Sequence, residues 1–170
     1  MAAEAVVTPG EASKNFRSLR LLWRRALTAS LDRDGVFVCV GGGVVSDLGG
    51  FAAATLLRGV RYVTAPTSTL AMLDASVGGK TAIDLPEGKN LVGSFHQPSD
   101  VCVDPSFLAT LPLRHHRAGL AEALKVALTS DASLLDRIDA NAAALAASTA
   151  DPALAGAFGE GDLDLGATIF

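Results

Sequence analysis

Val36-Phe37-Val38-Cys39-Val40 is a short unbroken apolar run that stops at Gly41-Gly42-Gly43, and a stretch of helical character begins at once with Val44. No other feature limits the fold as tightly. A run this short, apolar at every position and dense in valine, suits a strand buried on both faces of a parallel sheet. Glycines at its end allow the sharp turn into a helix, and a strand–turn–helix order of this kind opens a βαβ unit. The expected helix, Val44 to Leu57, is full of small residues. A second strand is expected at Val60-Arg61-Tyr62-Val63-Thr64, a helix over Ser68 to Val77, and a further strand at Val101-Cys102-Val103. Upstream, Phe16, Leu19, Leu22, Trp23, Ala26 and Leu27 recur at helical spacing with basic residues between them, which predicts an amphipathic helix lying on the sheet. The sequence therefore predicts an α/β fold with a mainly parallel sheet as far as residue 111.

The character changes at Leu111-Pro112. Beyond it, helices are expected over Arg117 to Leu128 and from Ser133 to about Ala147, with Asp131 capping the second. Residues 156–170 contain four glycines and neither lysine nor arginine, and they read as irregular.

Composition removes several function classes. Nearly half of the 170 residues are apolar, so a sizeable core is possible, and a net charge of −4 gives no electrostatic reason to expect a nucleic-acid partner. No uninterrupted apolar segment reaches the roughly 18 residues that a membrane helix requires. Met1-Ala2-Ala3-Glu4-Ala5 lacks the basic start of a secretory signal. Cys39 and Cys102 each alternate with valines and are expected as buried thiols, not as a disulfide framework. A cytoplasmic, reducing location is the expectation.

Three segments carry chemistry. Gly41 to Asp47 joins a strand to a helix, and glycines there let a backbone approach a pyrophosphate at the helix N-terminus. Ser46 occupies the third glycine position of a dinucleotide fingerprint, so a merely tight turn competes equally with nucleotide binding. Asp74-Ala75-Ser76-Val77-Gly78-Gly79-Lys80-Thr81 ends like a phosphate loop, yet Asp74 stands where that loop needs its first glycine. A lysine after glycines remains a reasonable phosphate site, and Lys89-Asn90 adds a second cation and an amide. Each lysine alone reads as a solvated surface residue; their grouping favours a site. In Gly119 to Lys125, Glu122 lies among apolar residues one turn from Lys125. An ordinary ion pair worth about 0.2–0.5 kcal/mol competes there with a metal-ligating carboxylate. His115 and His116 precede Glu122 by about 9–10 Å along a helix, too far for zinc bonds of about 2 Å to bridge.

In order along the chain, these segments resemble 3-dehydroquinate synthase, of the sugar-phosphate cyclase group. The matching residues are Gly10-Glu11 with Lys14, Gly41 to Asp47, Arg58 to Arg61, Ala65 to Ser68, Asp74 to Thr81, Gly88-Lys89-Asn90, Phe107 to Leu111, and Gly119 to Lys125. The resemblance spans roughly positions 5–150. It implies a Rossmann-like parallel-sheet nucleotide domain followed by part of an α-helical domain. Residues 1–111 would form part of the NAD-binding domain, 112–155 part of the helical metal and substrate domain, and 156–170 the irregular tail. The implied activity is that of an NAD- and metal-dependent lyase, usually with zinc. It eliminates phosphate from a seven-carbon keto-sugar acid phosphate and cyclises the product, in the shikimate pathway of aromatic amino acid biosynthesis. A homodimer is also implied.

Carried over by position, Glu11, Lys14, Gly43, Val44, Val45, Ser46, Asp47, Thr67 and Ser68 would contact NAD, as would Phe107, Leu108, Ala109 and Thr110. Lys80 and Lys89 would serve the cofactor or phosphate, and Asn90 the phosphate. Arg58 resembles an arginine supplied across the dimer, Asp74 and Lys125 would contact substrate, and Glu122 matches the first metal ligand. Pro9, Ser46, Ser68 and His115 depart from the family pattern. The family's two histidine metal ligands are expected beyond Phe170, since no histidine follows His116; the chain alone is accordingly expected to be inactive. The alternatives are another sugar-phosphate cyclase, a metal-dependent alcohol dehydrogenase, which shares the glycine turn, and a non-catalytic nucleotide-binding remnant.

Overall fold

The structure, a computed structural model, describes residues 3–142. Helix α1 (Phe16–Thr28) starts at Asn15, whose side chain accepts the Ser18 amide at 3.0 Å and so satisfies one of the open donors of the first turn. Leu19, Leu22 and Ala26 form its buried stripe. Strand β1 (Val36–Gly41) and strand β2 (Arg61–Pro66) pair in parallel, Val36 opposite Arg61 through Gly41 opposite Pro66. Between them in sequence, α2 (Gly43–Thr55) forms the crossover. Leu48, Phe51 and Ala52 on α2 pack with Leu19 and Leu22 of α1, so the main core lies between these two helices and the strands.

Strand β3 (Lys80–Leu85) and strand β4 (Gly88–Phe95) form an antiparallel hairpin around Pro86-Glu87. This hairpin lies against α2, with Thr81 and Ile83 buried. Strand β5 (Asp100–Val101) joins the other edge of β2, giving the order β1-β2-β5. Helix α3 (Leu113–Ser130) and helix α4 (Ala132–Ala140) follow. Every strand among the described residues precedes Pro112. None of the described helices is long and apolar enough to cross a membrane.

Several expectations change. Strand β1 is buried on one face only: Val36, Val38 and Val40 are 38%, 49% and 56% exposed, because α2 covers one side and no described element covers the other. The helix expected over Ser68–Val77 spans residues 69–75, and its last part, Ala71–Ala75, is π-helical, with the Ser76 amide reaching back to the Ala71 carbonyl at 3.1 Å. Lys80, Lys89 and Asn90 sit on the hairpin, not on glycine-rich loops. The third parallel strand is two residues long. Helix α2 ends at Thr55, and the chain turns through Leu57 and Arg58 with φ of 52° and 71°. Helix α3 begins at Leu113, four positions before Arg117. Asp131 caps α4 as expected, accepting the Ser133 and Leu134 amides at 3.0 and 3.4 Å. The remainder of that helix towards Ala147, and the tail 156–170, lie outside the described residues.

Candidate active site

The glycine turn leaves the start of α2 bare. Gly42 is its N-cap with extended backbone and no capping side chain, so first-turn amides remain open to an anion. Gly41 is needed for packing: a Cβ there would stand 2.6 Å from Val45 Cγ2. Its carbonyl accepts the Thr67 amide at 2.9 Å, which places Thr67 and Ser68 beside the same helix end.

Around this terminus lies an open cleft of about 1140 Å³. Glu11 and Lys14 border it from the segment before α1, and Gly43, Val44 and Asp47 from α2. Thr67, Ser68 and Asp74 follow from the segment after β2, and Lys80 and Asn90 from the hairpin. Residues far apart in sequence thus converge on one wall. Val45 and Ser46 point elsewhere: Val45 packs against the Cys39 cluster, and the Ser46 hydroxyl is buried with no hydrogen-bond partner.

Lys14 is the join. Its side chain is 3% exposed, and its ammonium donates to the Asp47 carboxylate and to Asn90 Oδ1, with Glu11 Oε1 at 3.7 Å. The Lys14 carbonyl accepts the Asp84 amide at 2.7 Å, and Asp84 Oδ1 accepts the Asn90 amide at 2.9 Å. Asn90 adopts a left-handed backbone, φ 56°, which asparagine tolerates and which turns its side chain towards Lys14. Burial raises the pKa of Asp47, and the Lys14 hydrogen bond and charge offset part of that rise. Lys89 is 71% exposed on the rim, 3.6 Å from Glu11.

The other candidates stand off the cleft wall. Phe107, Leu108, Ala109 and Thr110 belong to a 3₁₀ turn, Pro105–Thr110, whose successors Leu111 and Pro112 reach the cleft. Arg58 is exposed beyond the C-terminal end of α2, and a helix of 13 residues holds its ends roughly 20 Å apart. Glu122 and Lys125 pair with each other on α3, and that hydrogen bond is the main cause raising the Lys125 pKa, with the charge of Asp74 adding to it. Among the described residues no group of three histidine, cysteine, aspartate or glutamate side chains could hold a metal ion. Glu122 alone, tied to Lys125, does not make a zinc site.

Sequence reasoning missed Ser94 and Phe95 and weighed His115 only as a metal ligand; all three border the cleft. The weak period-two pattern of Thr81 and Ile83 was the available signal for the hairpin that carries the first two. For His115, the register of α3 decides, and no local signal marks it.

A parallel α/β domain with an anion-accepting cleft at a helix N-terminus, followed by a helical segment, defines a nucleotide-domain protein with a second, helical part. The chain belongs to the 3-dehydroquinate synthase family, whose N-terminal model matches residues 4–118. It is 47% identical over 133 residues to a 3-dehydroquinate synthase of Prochlorococcus marinus, covering 78% of this chain and 37% of that protein. With a 3-dehydroquinate synthase of Methylacidiphilum infernorum the identity is 50% over 137 residues, 80% of this chain and 38% of the relative. The chain thus spans less than two-fifths of the length of these curated relatives. Among solved structures it is similar to a 2-epi-5-epi-valiolone synthase from Streptomyces hygroscopicus with NAD⁺ and Zn²⁺ bound. The TM-score is 0.82 at 37% identity, over 88% of this chain and 42% of that one. A 2-deoxy-scyllo-inosose synthase complexed with carbaglucose-6-phosphate, NAD⁺ and Co²⁺ gives a TM-score of 0.67 at 35% identity, covering 69% and 32%.

Proposed function

We propose that this chain forms the NAD side of a 3-dehydroquinate synthase active site in the cytoplasm, with residues 1–111 as part of the nucleotide domain and 112–155 as part of the helical one. The observation that carries this is the convergence of Glu11, Lys14, Asp47, Thr67, Ser68, Lys80 and Asn90 on the bare N-terminus of α2. The residues fit the cofactor: a pyrophosphate needs open backbone amides and close approach, and the glycine turn offers both. NAD supplies hydride acceptance and return when bound. The chain's own residues bind and orient. Gly43, Val44 and Asp47, with Thr67 and Ser68, hold the cofactor, and Lys89 and the Phe107–Thr110 turn flank it. Lys80 and Asn90 meet the phosphate of a sugar-acid phosphate, while Asp74 and Lys125 face its hydroxyls. Arg58, far from its own cleft, serves the cleft of a second copy.

Among the described residues Glu122 is the one metal-ligand candidate, and these residues do not complete a metal site. Spanning less than two-fifths of its relatives' length, the isolated 170-residue chain binds NAD weakly and, with Glu122 as its metal-ligand candidate, does not release phosphate from the keto-sugar acid phosphate. Calorimetry tests the first half. A Cβ at Gly43 meets only Ala75, at 3.4 Å, so Gly43→Val is expected to fold while blocking the cofactor's approach. Unchanged NAD affinity in the folded variant overturns the placement. Zinc-dependent phosphate release by the chain, lost in Glu122→Ala, overturns the second half.

A further inference from the structure

His116 lies behind the cleft wall and takes part in none of the roles above. It is 5% exposed on α3, and Thr69, which faces it, is 2% exposed. Its Nε2 stands 3.1 Å from the Leu108 carbonyl, and its Nδ1 stands 2.9 Å from the Thr69 hydroxyl. A carbonyl only accepts, so Nε2 must carry a proton. In the neutral ring Nδ1 is then an acceptor, and the Thr69 hydroxyl donates to it. The Leu108 carbonyl also accepts the Leu111 amide at 3.0 Å, so both its lone pairs are used. Every polar atom of this buried relay has a partner, and one tautomer satisfies them all.

The ring ties three segments that border the cleft. Thr69 stands between the wall residues Ser68 and Leu70; Leu108 precedes Leu111 and Pro112; His116 follows His115. Contact between α3 and the Thr69 segment is close as well: a Cβ on Gly119 would come within 2.5 Å of Thr69 Cβ and 2.7 Å of the Leu70 amide nitrogen. An apolar side chain could fill the volume of the imidazole. It could not fix the separation of Thr69 and Leu108, because dispersion is non-directional whereas the two hydrogen bonds have a set length and angle.

We infer that His116 is a positioning residue: held as its Nε2-protonated neutral tautomer, it sets the distance between the Thr67–Thr69 segment and the Phe107–Thr110 turn, and with it the shape of the NAD pocket. Its effect on affinity rests on the proposed cofactor site, whereas the relay itself does not.

Three measurements on the full chain separate these. In ¹⁵N-histidine NMR near neutral pH, His116 should show a protonated Nε2 and an unprotonated, hydrogen-bonded Nδ1. Thr69→Val should remove the hydrogen-bond signature at Nδ1 alone. A ring protonated at Nδ1 overturns the inference. In calorimetry on variants shown by circular dichroism to be folded, Thr69→Val and His116→Leu should each weaken NAD binding about fivefold, the size of one hydrogen bond. The double variant should lose less than the product of the two, because both break the same relay. Lower melting temperatures with unchanged affinity would mean a merely structural role and overturn the inference. If the parent chain does not bind NAD, the cofactor placement fails, and hydrogen exchange then decides. Thr69→Val should speed exchange of the Leu111 amide about tenfold if the relay holds that turn, and unchanged exchange overturns the positioning role.

Discussion

Replacing Lys14 by methionine isolates the charge that joins the cleft's segments. Methionine keeps most of the stem's volume, so little apolar packing is lost. What disappears is an ammonium that is 3% exposed and bonded to Asp47 and Asn90. Removing one member of a buried ion pair costs about 3–5 kcal/mol, chiefly because the other charge is left without compensation. Asp47 keeps 20% exposure, so water retains part of its carboxylate, and the loss expected at neutral pH is about 2–3 kcal/mol. The pH dependence has a definite sign. Burial already lifts the pKa of Asp47 above its ordinary 3.8 with Lys14 in place, and without Lys14 it rises further. A carboxyl with a raised folded-state value favours the fold below its unfolded value, and that contribution is lost as pH rises through the folded value. The gap between parent and Lys14→Met should therefore be small near pH 4 and widen towards pH 7. Urea unfolding followed by circular dichroism at both pH values measures it, and adding Asp47→Asn should recover at least half of the loss at pH 7. A loss below about 1 kcal/mol at pH 7, a gap independent of pH, or no recovery in the double variant would refute the assignment of Lys14 as a buried charge partner.

Burial pushes the Cys39 thiol up to about 12, so iodoacetamide at pH 8 should label Cys102 and leave Cys39 untouched until urea is added; early labelling of Cys39 contradicts its buried position. Gly119→Ala should destabilise the chain by about 1–3 kcal/mol, since the new Cβ meets the Leu70 backbone and cannot be relieved by a rotamer change; an unchanged melting temperature would show that α3 is not seated there. Asp131 is held below its ordinary 3.8 by the Ser133 hydrogen bonds, so its capping of α4 is present above that value and lost as pH falls through the lower folded one. A lower protection factor of the Ser133 amide in acid, after the intrinsic slowing of exchange is divided out, reproduced near pH 7 by Asp131→Ala, is the expected signature.

Elements with strong local signals were legible in the sequence. The 3.6-residue recurrence from Phe16 to Leu27 gave α1, and the apolar run closed by three glycines gave β1, the turn and the start of α2. The hairpin is obscured because Gly78-Gly79-Lys80-Thr81 ends like a phosphate loop, and the alternation of Thr81 and Ile83 beneath α2 is too short to stand out against it. A helix was expected over Ser68–Val77 because its residues favour one, whereas the wide turn at Ala71–Ala75 depends on how the segment packs between α2 and α3. Exposure of Val36, Val38 and Val40 could not be read from an apolar run, since such a run says that two faces are apolar and not what covers each. Most of the candidate site residues rest on family resemblance and not on a local signal. Their joining through Lys14 was not legible, because Asp47 and Asn90 lie 33 and 76 positions away and nothing local links them.

That join also sorts the lysines of the cleft by the work each can do. Lys14 has its charge balanced by Asp47 within the fold, so it holds the cleft's segments together and contributes little net field to a ligand. Lys89 stands on the rim, mostly solvated and partly offset by Glu11 at 3.6 Å. Lys80 borders the cleft and has no ion-pair partner among the described residues. On the proposed placement, a phosphate entering the cleft would meet uncompensated positive charge at Lys80 and at the open amides of α2, which stand on different elements, the hairpin and the crossover helix. The position of the hairpin relative to α2 decides whether one anion can reach both. Lys14 fixes that position from one side by bonding Asp47 and Asn90 together, and the burial of Thr81 and Ile83 fixes it from the other. On that placement the buried Lys14 would act on a phosphate through geometry, and the exposed Lys80 through charge.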